Sequence, residues 1–276
     1  MAEPEEIAQH YEPADLVERL KIALAADGLD RKPITSEDLA PLDQFHSRGL
    51  AATAELARAL ELDGSTRVLD IGSGLGGPSR YLGARYGCKA HGIDLSQPFV
   101  DAATFLAERT GLADKVTYQR GDALSLPFDD GVFDVAWTQH VAMNISDRAT
   151  LYREAFRVLR PGGRFAIFDV VAASDMPLLY PVPWARGPET SFLVTADRMR
   201  VLLLEQGFRV ASWIDCTQAG VAWFAERERA RAQSPASPKL GLHVVMGADF
   251  GVMTGNLARN FREGRALLIE AILERP

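Results

Sequence analysis

The segment Val68-Leu-Asp-Ile-Gly-Ser-Gly-Leu-Gly-Gly77 constrains the fold of this chain more than any other. A short, mostly apolar run enters a cluster of glycines, and Pro78 follows at once. That order is a buried strand, a turn that needs left-handed backbone, and a helix whose first amides face the turn. It marks a nucleotide-binding turn. Gly72, Gly74 and Gly77 also satisfy the G-x-G-x-x-G dinucleotide pattern, so the spacing alone does not choose among users of adenosine. Asp70 does choose. Two residues before the first glycine, its carboxylate would repel a pyrophosphate at short range and attract an ammonium. The expected ligand is an adenosine derivative with an amino-acid tail.

From Thr66 onward, short apolar runs alternate with amphipathic stretches. Strands are expected at 67–71, 89–94, 116–120, 133–137 and 164–170, with helices at 78–85, 99–109 and 148–159. Pro161-Gly-Gly163 should stop the last of these helices. A helix at 196–206, a sixth strand at 208–213 and a seventh at 265–273 complete the pattern. Residues 1–62 read as a helical cap, with helices at 14–25 and 50–62 joined by the turn-rich 28–33 segment. The expected architecture is α/β: a doubly wound, Rossmann-like seven-stranded sheet with an N-terminal helical cap and a C-terminal helical insertion. The expected units are the cap at 1–62, a ligand-binding core at 63–173, and at 174–276 the rest of the sheet with a covering loop and the insertion. Pro177, Pro181, Pro183 and Pro188 interleave with Leu179, Tyr180 and Trp184, which suits a loop that covers something. Residues 216–262, interrupted at Ser234-Pro-Ala-Ser-Pro238, read equally as a packed helical pair or as a substrate lid.

A formal net charge of −7 argues against nucleic acid or an anionic membrane as the partner, since both require basic patches. The densest basic run, Arg227-Glu-Arg-Ala-Arg231, reads as a solvated helix face. Cys88 and Cys216 stand far apart and lack metal-ligand spacing, which suits a reducing compartment without disulfides or structural zinc. The N-terminus is acidic, and no apolar run reaches the ~18 residues a membrane span needs. The expectation is a cytoplasmic protein acting on a small molecule, with a homodimer as an admissible assembly. No metal is expected. Asp134 starts its strand, at the end away from the ligand, and Asp169 alone makes a poor cage.

In an open parallel sheet, ligands bind beyond the carboxyl ends of the strands. The first strand ends in Gly72-Ser73-Gly74. The second ends at Asp94, roughly twenty residues on, where an acid accepts hydrogen bonds from ribose hydroxyls. After the third, Asp122 either accepts from an adenine amino group, with the next amide donating to the ring, or serves an ordinary turn. The fourth runs out through Thr138-Gln139-His140. His140 is the candidate for handling a proton, because a histidine titrates near neutrality and an ammonium or phenol acceptor must lose a proton; its alternative is to orient substrate. Asn144 either bonds a substrate carbonyl or carboxylate, or caps the helix that begins near Asp147. Met143, Met246 and Met253 read as core filler.

S-adenosylmethionine (SAM) combines adenosine, carboxylate and ammonium with a sulfonium. The motifs at 68–77, Gly92-Ile-Asp-Leu-Ser96, Gly121-Asp-Ala123, Phe133-Asp-Val-Ala-Trp137 and Val158-Leu-Arg-Pro-Gly-Gly-Arg-Phe165 together resemble the class I SAM-dependent methyltransferases, in particular the type 11 or UbiE-like small-molecule branch. The resemblance covers about residues 66–172 and implies a seven-stranded sheet whose last strand is antiparallel. It implies that Asp70, Gly72 and Gly74, with Ser73 between them, and Gln139 hold the methionine portion. It gives Asp94 and Leu95 to the ribose and adenine, and Asp122 and Ala123 to the adenine. The cap with Leu42-Asp-Gln-Phe-His-Ser-Arg-Gly49 resembles that of the sarcosine/dimethylglycine N-methyltransferases and their tocopherol and sterol relatives, in which an N-terminal helix folds over the cofactor. Phe45, His46 and Arg48 then stand at the pocket entrance, and Asn144, Tyr180, Trp184 and His243 are further substrate candidates. The implied reaction moves a methyl group from SAM to a small acceptor, nitrogen ahead of oxygen or carbon, and leaves S-adenosylhomocysteine. Two alternatives stay open: a noncatalytic SAM-binding scaffold that uses 174–192 and 216–262 as an interface, and an NAD(P)-dependent dehydrogenase, which needs an acid-free turn.

Overall fold

The structure is a computed structural model and describes residues 15–31, 33–173, 176–233 and 239–276. The chain runs through α1 (Leu16–Ala26), α2 (Ser36–Asp43), α3 (Leu50–Arg58), β1 (Arg67–Ile71), α4 (Gly77–Tyr86), β2 (Lys89–Asp94), α5 (Gln97–Arg109), β3 (Val116–Arg120), β4 (Phe133–Gln139), α6 (Arg148–Val158) and β5 (Leu159–Ala172). It continues through α7 (Ala196–Glu205), β6 (Arg209–Asp215), α8 (Thr217–Gln233), α9 (His243–Met246), α10 (Phe250–Arg262) and β7 (Ala266–Glu274). The strands form one seven-stranded sheet of order β3-β2-β1-β4-β5-β7-β6. Strands β1 to β5 pair in parallel, and β7 runs antiparallel to both β5 and β6. The strand order reverses between β1 and β4, so the crevice beyond their carboxyl ends is the place for a ligand.

Helices cover both faces, which is why Val68, Leu69, Asp70 and Ile71 of β1 are all buried. On one face Val68, Trp137, Phe168, Leu268 and Ile272 pack with Leu56 of α3 and Phe261 of α10. On the other, Leu69, Ile71, Ile167 and Leu273 pack with Leu151 of α6 and Leu203 of α7. A third cluster joins Leu20 and Leu24 of α1 and Leu39 of α2 to Phe99 and Leu106 of α5, and it includes Leu75 of the glycine turn.

Several elements differ from the sequence expectation. Helix α2 was not foreseen, although Thr35-x-x-Asp38 carries its signal: the Thr35 hydroxyl accepts from the Asp38 amide at 3.1 Å and the Asp38 carboxylate accepts from the Thr35 amide at 3.0 Å. Helix α3 stops at Arg58, short of Leu62. Strand β5 begins at Leu159, because the Gly162 amide donates to the Arg275 carbonyl and the Arg275 amide to Gly163, which draws Pro161-Gly-Gly163 into the sheet. Residues 1–14 and the break at 234–238 lie outside the described residues.

A buried ion pair fastens the cap to the core. Asp43, at the end of α2, accepts from Arg80 of α4 at 2.7 Å, and both side chains are wholly buried. Alongside, Gly77 lies so close to the Asp43 carbonyl that any Cβ would overlap it. Burial pushes the Asp43 carboxyl up to about 6 against the opposing pull of Arg80. Replacing Arg80 by methionine leaves that carboxylate buried without a counter-charge and should cost about 3–5 kcal/mol at pH 7.5. The loss should be smaller at pH 5.5, because without Arg80 to lower it the Asp43 carboxyl takes up its proton above pH 6. Urea denaturation at the two pH values checks this; a loss under about 1 kcal/mol at pH 7.5 would show that the pair does not hold the cap.

Candidate active site

The amides of Gly72 and Ser73 both donate to the Ile93 carbonyl, at 2.8 and 3.0 Å, so the turn after β1 is pinned to the end of β2. Gly72 and Gly74 have φ of +72° and +51°. A Cβ at Gly72 would stand 2.6 Å from Val141, which rests on the turn, whereas one at Gly74 would meet nothing within 4 Å. The turn therefore faces open space at Gly74. Beside it, Asp94 accepts from the Gly74 amide at 2.8 Å and the Ser96 amide at 3.0 Å. Asp70 is buried and accepts from the Ser79 hydroxyl at 2.6 Å. Burial pushes the Asp70 carboxyl up to about 6; the Ser79 bond opposes the rise and the charge of Asp94 adds to it. Asp94 is raised as well, mainly by burial. Ser73 Oγ is buried with no partner. Two carboxylates thus flank one turn, and neither has an ion pair among the described residues.

Beyond β4 a second polar group assembles. Gln139 Oε1 accepts from the Trp137 indole at 3.0 Å. An indole N–H can only donate, so the amide orientation is fixed, and Gln139 Nε2 is left buried without an acceptor. Thr53 of α3 lies 3.1 Å from the same oxygen and donates to Gln44 Oε1 at 2.6 Å. His46 completes the group, with Nε2 3.1 Å from Gln44 Oε1 and Nδ1 3.2 Å from the Ser47 carbonyl. The 44–48 loop is thereby closed down on the exit of β4. His140 has a φ of +55°, unusual for a residue with a side chain. Its amide donates to the Phe168 carbonyl at 2.9 Å, and its ring stacks on Phe168 at 5.6 Å and stands 6.0 Å from the ring of His46. Burial lowers His46 to about 4. Desolvation, followed by the charge of His46, holds His140 well below the ordinary histidine value, and its Nε2 has no partner. Both imidazoles are neutral at pH 7.

The remaining candidates fall into three places. Leu95 follows Asp94, and its carbonyl accepts from Arg120 at 3.1 Å. Asp122 accepts from the Leu124 amide at 2.8 Å, the turn role of its two alternatives, and Ala123 packs against the second cluster. Asn144 does not cap α6. Asp147 does so itself, through the Thr150 amide at 3.0 Å, while Asn144 Nδ2 donates to the Trp184 carbonyl at 2.8 Å. Trp184 is buried and its indole donates to Ser191 Oγ at 2.9 Å, Phe192 donates to the Met143 carbonyl at 2.8 Å, and Tyr180 packs in the first cluster. The 180–192 loop is thus sewn to the loop after β4. Phe45, edge-on to Phe99 at 6.1 Å, packs against the third cluster, and His243 opens α9. Sequence reasoning missed Thr53 and Phe168, which sit in ordinary apolar patterns, and Gln44, which lies inside the motif quoted for the cap.

No group of three His, Cys, Asp or Glu among the described residues could hold a metal ion. Asp134 accepts from the Arg67 amide at 2.6 Å and from Arg160 at 2.7 Å, at the amino end of β4. No described helix is long and apolar enough to cross a membrane.

A five-stranded parallel core, a reversed last strand and an acid-flanked glycine turn at the switch point define the class I methyltransferase fold. A family model described as a methyltransferase domain matches residues 69–167. Over 231 residues the chain is 31% identical to 27-O-demethylrifamycin SV methyltransferase of Amycolatopsis mediterranei, with 82% of each protein covered. It is 34% identical over 142 residues to sarcosine/dimethylglycine N-methyltransferase of Halorhodospira halochloris, across 51% of this chain and 50% of that protein. Geranyl diphosphate C-methyltransferase from Streptomyces coelicolor A3(2), crystallised with S-adenosyl-L-homocysteine, has the same fold at a TM-score of 0.71 and 18% identity, covering 99% of this chain and 98% of that one. The chain belongs to the SAM-dependent methyltransferase family, which sets the dehydrogenase alternative aside. Several of its curated relatives are spanned over half of their own length or less.

The Asn144 clip makes a direct prediction. Asn144→Ala leaves the Trp184 carbonyl without its donor and should cost about 1 kcal/mol, seen as faster amide hydrogen exchange across 180–186. Unchanged exchange would mean that the burial of Trp184 alone holds the loop.

Proposed function

We propose that the protein transfers the methyl group of SAM to a small-molecule acceptor, with nitrogen preferred to oxygen or carbon. The observation that carries this reading is the pair Asp70 and Asp94 around an open glycine turn, with Ser73 Oγ and Gln139 Nε2 buried and unpartnered nearby. An amino-acid tail answers both needs. Its ammonium offsets the carboxylates, and its carboxylate can take the Gln139 amide and the Ser73 hydroxyl. When bound, SAM supplies a methyl group activated by a sulfonium leaving group.

The chain's own work is then to bind, orient and keep out water. Asp70 and the turn hold the tail, Asp94 and Leu95 the ribose side, and Asp122 and Ala123 the adenine. The Gln44–His46–Thr53 group closes the cap over Gln139 and excludes solvent. His140 accepts a hydrogen bond or a proton from the acceptor, a contribution of ~10²–10⁴ where a proton must leave. Its depressed basicity supports nitrogen over oxygen. Burial makes an ammonium easier to deprotonate and a phenol harder, so a weak base suffices for an amine. The net charge of −7 supports an acceptor other than nucleic acid.

Titration calorimetry should show binding of SAM and S-adenosylhomocysteine and none of NAD; the reverse would overturn the reading. Because Asp70 titrates near 6 when free of a cation, it is protonated at pH 5 and charged at pH 7.5. SAM should therefore bind about tenfold more weakly at pH 5, with the dependence abolished in Asp70→Asn. Affinity flat across that range in the native protein would remove Asp70 as the ammonium's partner. His140→Asn, which tolerates the left-handed backbone, should lower turnover by roughly 10²-fold and leave SAM affinity nearly unchanged. Equal turnover of both forms from pH 6 to 9 would exclude His140 as a base.

A further inference from the structure

Glu270 is a charged residue where a core strand calls for an apolar one. It pairs with Phe168 of β5 and Ile214 of β6, and Phe168 in turn pairs with Gln139, the last residue of β4. This register sets Glu270 level with the exit of β4. Alternation along β7 puts it on the same face as Leu268 and Ile272, the face that carries Phe168 and, through Phe168, the rings of His140 and His46. The residue is only 6% exposed, yet its carboxylate has no hydrogen bond or ion pair among the described residues. Neither oxygen is among the sealed, unpartnered atoms of the core, so the carboxylate borders a space.

Arg48, the cation whose charge acts on Glu270, is already committed. Arg48 Nη2 donates to both oxygens of Glu55 on α3, at 2.8 and 2.7 Å. Burial raises the pKa of Glu270 and the charge of Glu55 adds to the rise, with Arg48 opposing. Arg48, Glu55 and Glu270 together therefore hold one negative charge in excess. An aromatic side chain of α8 meets the loop that carries Arg48: Trp223 Cζ2 lies 4.0 Å from where a Cβ on Gly49 would be, Phe224 packs against the indole at 4.8 Å, and the Arg227 guanidinium already lies 4.8 Å over the Trp223 ring. A desolvated carboxylate with no partner weakens a fold, so its presence beside the candidate site asks for a ligand.

We infer that the space beside the Glu270 carboxylate, bordered by Phe168 and the Arg48–Glu55 pair, is a subsite for an alkylammonium group of the methyl acceptor. The carboxylate supplies the counter-charge, which favours a cation over a neutral group of the same shape. The inference deepens the methyl-transfer reading and rests on it for the role of the bound molecule as acceptor.

Choline and its uncharged isostere 3,3-dimethylbutan-1-ol are suitable probes, titrated into the full chain saturated with S-adenosylhomocysteine. The native protein should bind choline at least tenfold more tightly than the isostere. Glu270→Gln should abolish the preference, raise the melting temperature and leave S-adenosylhomocysteine affinity unchanged. Glu55→Gln should also weaken choline binding, because it frees Arg48 to pair with Glu270. Glu205→Gln, on the exposed face of α7, should behave as the native protein. No preference in the native protein, no binding of either probe, or an undiminished preference in Glu270→Gln would each overturn the subsite. Failure to bind S-adenosylhomocysteine in the first place would instead refute the cofactor reading.

Discussion

A negative charge held out of water at the end of β1 is the constraint around which the rest of the molecule is arranged. Asp70 is surrounded by parallel strands and helix α4, and Ser79 gives it one hydrogen bond. Asp94 comes up beside it because the Gly72 and Ser73 amides tie the turn to β2. An isolated protein relieves such crowding only by taking up protons. A ligand with a positive end would relieve it without them, and this is the physical ground of the proposed preference of the turn for an amino acid over a diphosphate, although its glycine spacing serves either.

The cap answers a second requirement, since a reaction at a sulfonium needs a dry site. Its attachment is polar at two levels. The Asp43–Arg80 pair holds the end of α2 against α4 behind the turn, and one residue later Gln44 begins the chain of side chains that reaches Thr53 and Gln139. The same short stretch thus docks the cap and covers the exit of β4. Gln139 is the meeting point: one end of its amide is engaged by Trp137, and the other remains for a guest.

The sheet was legible in the sequence because its strands are short apolar runs cut by glycine and proline, and because a parallel core buries both faces of each strand. The reversed last strand came from the family resemblance. What escaped was tertiary. Nothing in the apolar spacing of α3 shows that Thr53 points at Gln139, and nothing in the β5 pattern shows that Phe168 carries the two histidine rings. Glu270 was visible as an acid in an apolar run, but its level in the sheet emerged only with the β5–β7 register. Asn144 reads from the sequence as a substrate contact or as a helix cap, and it does not cap α6. Asp147 already supplies the cap, and the amide goes to a loop forty residues away that the chain order does not bring near.

The left-handed backbone at position 140 restricts how this site can be diversified. Only glycine, asparagine, aspartate and a few others accept such dihedrals without strain, so the vocabulary at the tip of β4 is narrow. The 180–192 loop is bound by main-chain carbonyls and one indole, and it imposes no comparable rule on most of its side chains. A designer who wishes to change what this catalyst accepts has far more letters to choose from in that covering loop than at the histidine beneath it.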